Sequence, residues 1–362
     1  MTRDATSKTL TMDQIDDNIQ KVIHQLQNMK GSIAETAPIG IISMDNWEWP
    51  QGVALFSLYL YYKETGKQEI LDYLCGWFDR QLDGGELPPK NVNTMCPMLT
   101  LSCLHEETGN ERYLKLCREW AWHVVHEMPR TGEGALQHIV SGETNEGQVW
   151  DDTLYMTVLF MTRMGVVLEE ESYIQESIRQ FLVHLKYLTD PVTGLFFHGW
   201  SFVENHHFAG ALWARGNSWY TAGLVDYLEM APIPAGVEHY LISSLERQAA
   251  KLREVQAEDG MWHTLLNDPN SYKETSATAA FAYGILKAVR KGYLDESFAA
   301  CGWRAVEAVV NQIGGDGIVQ GVSYGTGMGR TLQYYKDIPR CPMPYGQSMT
   351  LLMLVETLKH KE

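Results

Sequence analysis

The sequence has few basic residues, few cysteines and no long apolar run. Its 362 residues include 29 Lys and Arg against 45 Asp and Glu, which gives a formal net charge of −16. Such a chain offers no broad basic surface for nucleic acid phosphates or an anionic bilayer. No stretch approaches the roughly 18 uncharged apolar residues of a membrane-spanning helix. We therefore expect neither nucleic acid nor a membrane as partner. A small acidic ligand remains compatible, because one or two local cations are enough to bind it.

The six cysteines are spread thinly and contain no Cys-x-x-Cys pair. This spacing predicts reduced thiols, not a disulfide framework or a zinc site. The segment from Met1 to Asp17 is charged and lacks the apolar core of a signal peptide. We therefore expect a cytoplasmic protein that is a monomer or a homodimer.

Sequence signatures of cofactor binding are missing as well. The chain has no phosphate-binding loop, dinucleotide fingerprint or Gly-x-Ser-x-Gly elbow. The pair His206-His207, with His198 eight residues earlier, matches no standard zinc spacing. We therefore predict neither a cofactor nor a metal.

What the sequence does contain is an alternation of two kinds of helix. A run that is apolar nearly all round predicts a buried helix, and a run with one charged face predicts an outer one. Gly66 and Gly109, each after Glu-Thr, mark helix ends. The predicted inner helices are Val53–Tyr62, Met98–Leu104, Leu154–Met164, Tyr220–Leu228, Ala277–Ala288 and Ser348–Leu358. The predicted outer helices are Met12–Met29, Gln68–Gln81, Glu111–Glu127, Glu171–Leu188, Val237–Arg253 and Glu296–Gln312.

Twelve helices in six inner and outer pairs predict an all-α fold, a single (α/α)6 barrel that spans residues 1–362. Strand signals are short and confined to loops such as Gly194–Trp200 and Gly260–Leu265. The loops that lead into the inner helices would all open at one end of the toroid. Their side chains should therefore converge on one axial pocket, where we expect the function to lie.

Two carboxylates, Asp151 and Asp152, stand beside Trp150 at the start of a predicted inner helix. Neighbouring residues on a helix point about 100° apart, so we expect one carboxylate to face the pocket and the other to cap the helix. The structural alternative is that both are capping acids. Next to an indole in a sugar-binding cavity, a partly desolvated Asp would have a raised pKa and could act as an acid.

Several other polar residues near the predicted pocket also have a functional and a structural interpretation. Asn93 could cap the second inner helix or orient a carboxylate or a water. His198 is either a buried, hydrogen-bonded imidazole or a ligand contact. Arg215 lies between two tryptophans and could hold a planar carboxylate through two parallel hydrogen bonds; otherwise it forms a salt bridge or a stacking contact within the wall.

The tryptophans have the same ambiguity. Trp47 and Trp49 open the first inner helix, and indoles at such positions suit the apolar faces of sugars. Eleven Trp in one chain are nevertheless explained most simply as core residues.

Together these motifs resemble the unsaturated rhamnogalacturonyl hydrolases of glycoside hydrolase family 105, which are related to the unsaturated glucuronyl hydrolases of family 88. The resemblance runs from Trp47–Gly52 to Tyr345–Leu358 and includes residues 274–295. Its most specific segments are VWDDTLYM, TGLFFHGW, LWARGNSWY and YGTGMG. The resemblance implies an (α/α)6 barrel, in agreement with the helix pattern.

The resemblance also implies a reaction. Such enzymes hydrate the C4=C5 enol ether of the 4,5-unsaturated uronic acid that a polysaccharide lyase leaves at the non-reducing end. An aspartic acid donates a proton to C4, and water activated by the same group adds to C5. The resulting hemiketal opens, and the glycosidic bond then breaks.

On the same resemblance, the catalytic aspartate corresponds to Asp152. His198, Arg215 and Trp219 match residues of the substrate pocket, with Trp47 in its wall. Asn93 departs from the pattern, because the family has a second aspartate there and asparagine cannot exchange a proton. We expect Asn93 to orient water or Asp152, and the lost charge to lower the pKa of Asp152. Substrate preference or pH optimum would then differ from the relatives.

We therefore predict a hydrolase that acts on a small acidic oligosaccharide, unsaturated galacturonyl-rhamnose from pectin. Asp152 would be acid and base, Asn93 its positioner, His198 and Arg215 substrate contacts, and Trp47, Trp150 and Trp219 stacking surfaces. One alternative is a family 88-like hydrolase of unsaturated glucuronides. Others are a sugar epimerase that relies on histidines and a sugar-binding toroid that lost its activity with the second carboxylate.

Overall fold

The structure, a computed structural model, describes residues 10–30 and 42–360. Its described part is dominated by helices and contains one small two-stranded sheet. The α-helices are α1 (Met12–Asn28), α2 (Trp49–Thr65), α3 (Gln68–Asp83), α4 (Cys96–Thr108), α5 (Glu111–His126), α6 (Leu159–Val167), α7 (Glu171–Leu188), α8 (Ala214–Met230), α9 (Ala235–Val255), α10 (Thr275–Arg290), α11 (Ala299–Val310), α12 (Leu332–Lys336) and α13 (Pro344–Thr357). A π-helical turn (Leu154–Val158) runs directly into α6, and 3-10 turns cover Gly132–Gly134 and Glu296–Phe298.

Six of these helices form a closed inner ring. In ring order they are α2, α4, α6, α8, α10 and α13, and α13 packs back against α2. Helices α1, α3, α5, α7, α9 and α11 pack around the outside of the ring. The predicted all-α (α/α)6 toroid is therefore confirmed.

Burial follows the two sequence patterns. In the inner helix α10, every residue from Thr275 to Ala288 is buried. The outer helix α3 buries only Ile70, Leu71, Leu74, Trp77 and Phe78, which form a single stripe at helical spacing. Each outer helix thus seals the ring with one apolar face and presents its charged face to water.

The predicted helix ends are also confirmed. Gly66 and Gly109 both have φ of 67°, and their N–H groups donate to the carbonyls of Tyr62 and His105, respectively. Left-handed backbone of this kind strains any residue with a Cβ, so glycine ends α2 and α4 at the least cost.

The loops differ from expectation in two places. Strand β1 (Gln148–Trp150) pairs antiparallel with β2 (Gly199–Ser201), so the second strand lies at the end of the predicted segment Gly194–Trp200. Segment Gly260–Leu265 forms only isolated bridges. Helix α12 was not predicted, because five residues are too few to show a helical period.

The cysteines, the hydropathy of the helices and the chain ends bear on the other expectations. All six cysteines have free thiols. Within the described ranges, no helix is long and apolar enough to cross a membrane. Residues 1–9 of the predicted leaderless N-terminus, and residues 31–41 and 361–362 of the predicted 1–362 domain, lie outside the described residues.

Candidate active site

A cavity of about 150 Å³ opens at the end of the toroid where the inner helices begin. Its wall includes Trp49 at the start of α2, Asn93 just before α4, Asp152 just before α6 and Arg215 in the first turn of α8. The positive ends of these helix dipoles face the cavity, and they favour a bound anion. The predicted axial pocket therefore exists, and four inner helices direct their N-terminal ends toward it.

The short sheet brings Asp152 and His198 together. The N–H of Asp151 donates to the carbonyl of His198 at 3.1 Å, which extends the pairing of β1 and β2. His198 Nε2 then lies 3.3 Å from Oδ2 of Asp152. The other ring nitrogen, Nδ1, is 2.7 Å from the Tyr335 hydroxyl, a contact that fixes the ring. His198 is 1% exposed and does not line the cavity, so its contact is with Asp152 behind the cavity wall.

The charge of Asp152 is set mainly by histidine. Burial favours its neutral form, but the hydrogen bond and the electrostatic effect of His198 outweigh burial and lower the pKa of Asp152 to about 2. His138 stacks on Trp150 with a centroid distance of 4.1 Å, and burial lowers its own pKa to about 3. The expectation of an aspartate with a raised pKa therefore fails at Asp152, which faces the cavity, because an imidazole contacts this carboxylate and outweighs its burial.

Asp151 has the opposite character. Its side chain is fully buried, and neither carboxyl oxygen has a hydrogen-bond partner in the described chain. It does not cap the helix that follows, contrary to the sequence-based expectation. Burial, together with the neighbouring charge of Asp152, raises the pKa of Asp151. In this pair Asp151 is thus the neutral acid and Asp152 the carboxylate. The raised pKa belongs to Asp151, which lies outside the cavity wall.

Asp151, Asp152 and His198 each offer a potential metal-ligand atom, all within 4.8 Å of one another. Two carboxylates and an imidazole form a donor set that suits a divalent transition metal. The raised pKa of Asp151 favours its neutral form, however, and a carboxyl group must be deprotonated to bind a metal well. Elsewhere, His206 Nε2 lies 2.7 Å from Glu204, and His207 Nε2 lies 2.7 Å from the carbonyl of Tyr187.

Arg215 lines the cavity, but its guanidinium already binds a loop. Nη1 donates to the carbonyl of Ser323 at 2.9 Å and also to its hydroxyl. Nη2 donates to the carbonyl of Tyr324 at 2.9 Å and to the hydroxyl of Thr326 at 2.7 Å. The guanidinium stacks on Trp213 and Tyr345. A two-bond clamp on a substrate carboxylate would have to break this network, so the alternative of a stacked wall residue describes Arg215 better.

Two of the three predicted stacking tryptophans lie behind the wall. Trp47 is 5% exposed, packs against the aromatic rings of Trp77, Phe78 and Trp120, and donates from Nε1 to the carbonyl of Thr94 at 2.9 Å. Trp219 is fully buried beside Tyr155. Neither lines the cavity. Their prediction as sugar-stacking surfaces is therefore corrected, because both indoles are enclosed by core side chains.

The indoles that do line the cavity are Trp49 and Trp150, with Trp213 beside Arg215. Trp49 stacks on Tyr345 at 4.6 Å and meets Trp219 edge to face at 5.8 Å. The motif Trp47-Glu48-Trp49 predicted an indole in this wall. Which of its two indoles faces the cavity depends on where α2 begins.

Asn93 lies in the cavity wall as predicted, although it does not cap α4. Capping of that turn falls to Asn91, whose side-chain oxygen accepts from the N–H groups of Asn93 and Thr94 at 2.9 and 3.1 Å. This leaves the Asn93 amide directed to the cavity and not to the helix.

Glu48 is the functional candidate that sequence reasoning missed. It lines the cavity and accepts a hydrogen bond of 2.6 Å from the Ser141 hydroxyl. Burial raises its pKa, against the hydrogen bonds from Ser141 and from the N–H of Trp49. Its only sequence signal was its place between the two tryptophans.

Residues 18–361 match the glycosyl hydrolase family 88. The chain belongs to this family. The unsaturated rhamnogalacturonyl hydrolase YesR of Bacillus subtilis is 36% identical to this family 88 chain, over 87% of the chain and 91% of the relative.

Solved structures agree with this membership. A possible member of family GH105 from Salmonella enterica is 44% identical, with a TM-score of 0.93 and coverage of 99% and 96% of the two chains. The unsaturated glucuronyl hydrolase of Bacillus sp. GL1 shares the fold at 18% identity, with a TM-score of 0.72 and 97% coverage of both chains. The family resemblance read from the motifs is confirmed.

Proposed function

We propose that this family 88 enzyme releases the 4,5-unsaturated uronic acid from the non-reducing end of lyase-generated oligosaccharides. The proposed substrate is unsaturated galacturonyl-rhamnose from the breakdown of pectin. The observation that carries the proposal is the carboxylate of Asp152, held by His198 inside a cavity onto which helix N-termini converge. The 36% identity to an unsaturated rhamnogalacturonyl hydrolase supports the choice of sugar.

The cavity wall suggests how such a substrate would lie. The uronate carboxylate would face the helix N-termini, and the apolar face of its ring would lie against Trp49 or Trp150. Asp152 is the catalytic residue that acts as acid and base at C4 and C5, and the amide of Asn93 holds the attacking water. His198 favours the ionised form of Asp152, and Arg215 holds the loop 323–326 in the cavity wall.

We further propose that residues 1–362 form one catalytic domain that works in the cytoplasm, as a monomer or homodimer, on a small acidic oligosaccharide. The reaction would need no metal, because water addition to an enol ether requires only proton transfer. Prolonged treatment with EDTA should leave kcat unchanged. A loss of kcat that zinc or manganese restores would instead assign Asp151, Asp152 and His198 to a metal.

The reaction is tested by following the ultraviolet absorbance of the conjugated C4=C5 carboxylate during incubation with the unsaturated disaccharide. Wild type should remove the absorbance, and Asp152→Asn should lower kcat by at least about 100-fold, the usual size of a general acid or base contribution. Asp72→Asn, on the exposed face of α3, removes the same charge far from the cavity and should behave as wild type. Equal rates in wild type and Asp152→Asn would contradict the role of Asp152.

The same assay, run with mass spectrometry on a panel of unsaturated uronides, separates the alternatives. Hydrolysis adds one water, an epimerase conserves mass, and a binding protein leaves the sugar unchanged. A preference for unsaturated glucuronides would correct the substrate and leave the reaction in place.

A further inference from the structure

The lining of the cavity around Asp152 changes in character between its floor and its mouth. The floor holds buried side chains, among them Trp213 and Arg215. Ser141 and Glu143 line the same cavity but are exposed, so they mark its mouth. In the proposed pose the uronate occupies the floor, and the sugar that follows it therefore occupies the mouth.

The mouth lies between two loops, one that leads through β1 into α6 and one that leads through α12 into α13. These two inner helices are three positions apart in a ring of six, so their loops face each other across the cavity. The first loop supplies Ser141 and Glu143, and the second supplies Thr326 and Gly327. A sugar in the mouth would thus have an acidic side chain on one side and uncharged groups on the other.

The turn that carries Glu143 is held in place. Val140 and Glu143 exchange two backbone hydrogen bonds of 3.0 and 3.2 Å. The Ser141 hydroxyl between them donates to Glu48 at 2.6 Å and accepts from Nδ2 of Asn91 at 3.1 Å. The side chain of Glu143 itself forms no hydrogen bond or ion pair within the described ranges. A fixed backbone therefore presents an uncompensated carboxylate to the mouth.

The cavity lining has no free cation to offset this charge. Among the described residues that line it, Arg215 is the sole Lys or Arg. Its Nη1 and Nη2 already donate to the loop 323–326, and its side chain is buried in the floor. His138 also lines the cavity, but burial lowers its pKa to about 3, so it is neutral near pH 7. A negative charge on a sugar in the mouth would therefore meet Glu143 without a compensating partner.

We propose that Glu143 determines specificity for the sugar next to the unsaturated uronate: it admits an uncharged sugar and rejects one that carries a sulfate or a carboxylate. This inference rests on the proposed function and names the class of its second sugar. Discrimination against a close analogue commonly uses a repulsive contact as well as attractive ones. The charge of the uronate lies at the floor, toward the helix N-termini, and is common to both classes of substrate. The selection therefore depends on charge in the mouth alone.

The test uses three disaccharides that share the unsaturated uronate: one with plain rhamnose, one with a sulfate ester on the rhamnose, and one with an acetyl ester at the same position. The acetyl ester adds bulk without charge, so it separates repulsion from steric exclusion. In wild type, kcat/KM for the sulfated disaccharide should be at least about fivefold below that for the acetylated one. Glu143→Gln should reduce this difference about fivefold, the effect of two unit charges about 4 Å apart in water. Glu143→Lys reverses the charge and should change it about 20-fold.

Glu146→Gln is the matched control, because it removes the same charge from the same loop outside the cavity wall. It should keep the wild-type ratio. Each ratio is measured on one enzyme preparation, so partial unfolding of a variant lowers both values equally and cannot imitate the effect. Raising the salt concentration from about 20 mM to about 500 mM should shrink the ratio in wild type, since exposed charges are screened, and should leave it unchanged in Glu143→Gln.

The proposal is overturned if both Glu143 variants keep the wild-type ratio within about twofold, or if wild type prefers the sulfated disaccharide. A wild-type ratio that is independent of salt would also contradict it. Consumption of the plain disaccharide alongside any of these results refutes the role of Glu143 alone. If wild type consumes none of the three disaccharides, the proposed function itself fails, and the role of Glu143 fails with it.

Discussion

Asp151 and Asp152 show how far two identical neighbouring residues can diverge. They differ because the backbone pairing that continues beyond β1 and β2 stops between them: the N–H of Asp151 donates to the carbonyl of His198, whereas Asp152 lines the cavity. One carboxyl is buried without a donor, and the other contacts His198. A sequence pattern cannot assign these states, because they depend on a histidine 46 positions away from Asp152.

Replacing Asp151 by Asn should therefore change stability in a pH-dependent way. The pKa of Asp151 is raised in the fold, so its favourable contribution is complete below pH of about 4, the usual pKa of a free Asp, and is lost as pH rises toward the folded value. Asn cannot ionise, so Asp151→Asn should gain Tm relative to wild type from pH 4.5 to pH 8. Thermal unfolding checks this, and a Tm difference independent of pH would mean that Asp151 is ionised in the fold.

At the scale of secondary structure elements, the sequence predicted nearly every helix of the toroid but not which side chains reach the cavity. Helix positions follow from apolar spacing, and α7 matches its predicted range Glu171–Leu188 from end to end. Which side chains line the cavity wall depends on the paths of the loops and on the first turn of each inner helix. The π-helical turn before α6 is one example, since such turns are frequent at functional sites. Because the first turn of α2 decides which indole reaches the cavity, Trp49 lines it and Trp47, the predicted stacking surface, lies in the core.

Arg215 should act through the loop that it binds. Arg215→Lys cannot make four hydrogen bonds to Ser323, Tyr324 and Thr326, so amide hydrogen exchange across 323–327 should rise about tenfold or more in the ligand-free enzyme, together with KM. Arg253→Lys on the outer helix α9 is the control. A rise in KM without faster amide exchange in the ligand-free enzyme would instead favour a direct contact between Arg215 and the substrate.

Helix α8 approaches Asp151 through Gly216. A Cβ at this position would lie 2.8 Å from Oδ1 of Asp151 and closer still to Oδ2. Gly216→Ala should cost about 1–3 kcal/mol in the free energy of unfolding, as overpacking does, and should lower kcat by displacing Asp152. Gly236→Ala in α9 meets nothing within 4 Å and should gain about 0.5–1 kcal/mol. Urea denaturation of both variants tests the contrast, and equal stabilities would contradict it.

At the scale of the whole molecule, the two ends of the ring have different roles. At the end opposite the cavity, ion pairs between largely buried side chains join neighbouring inner helices. Lys287 of α10 contacts Asp226 of α8 at 2.6 Å and Glu229 at 2.7 Å, while Arg290 holds Glu356 of α13 at 2.5 Å. The negative charges of Asp226 and Glu229 outweigh the effect of burial and raise the pKa of Lys287. These contacts tie three successive inner helices together.

Breaking the Lys287 contact should be costly. Lys287→Met leaves Asp226 buried without its cation and should lower the free energy of unfolding by about 3–5 kcal/mol. Adding Asp226→Asn should recover part of that loss. Lys251→Met, which removes an ion pair with the exposed Glu254, should cost no more than about 1 kcal/mol. Chemical denaturation of Lys287→Met, Asp226→Asn, the double variant and Lys251→Met measures this. A double variant whose loss of stability equals the sum of the losses in the two single variants would contradict the coupling.

Because the cavity opens at the end where the inner helices begin, we expect molecules to enter and leave through that mouth. In the proposed substrate pose the uronate ring enters first and lies deepest, so it should leave last. The sugar released from it departs first. The freed uronate should therefore compete with incoming substrate, whereas the departing sugar should inhibit without competing. The order in which products leave would thus follow from a substrate cavity that opens at one end of a ring of helices.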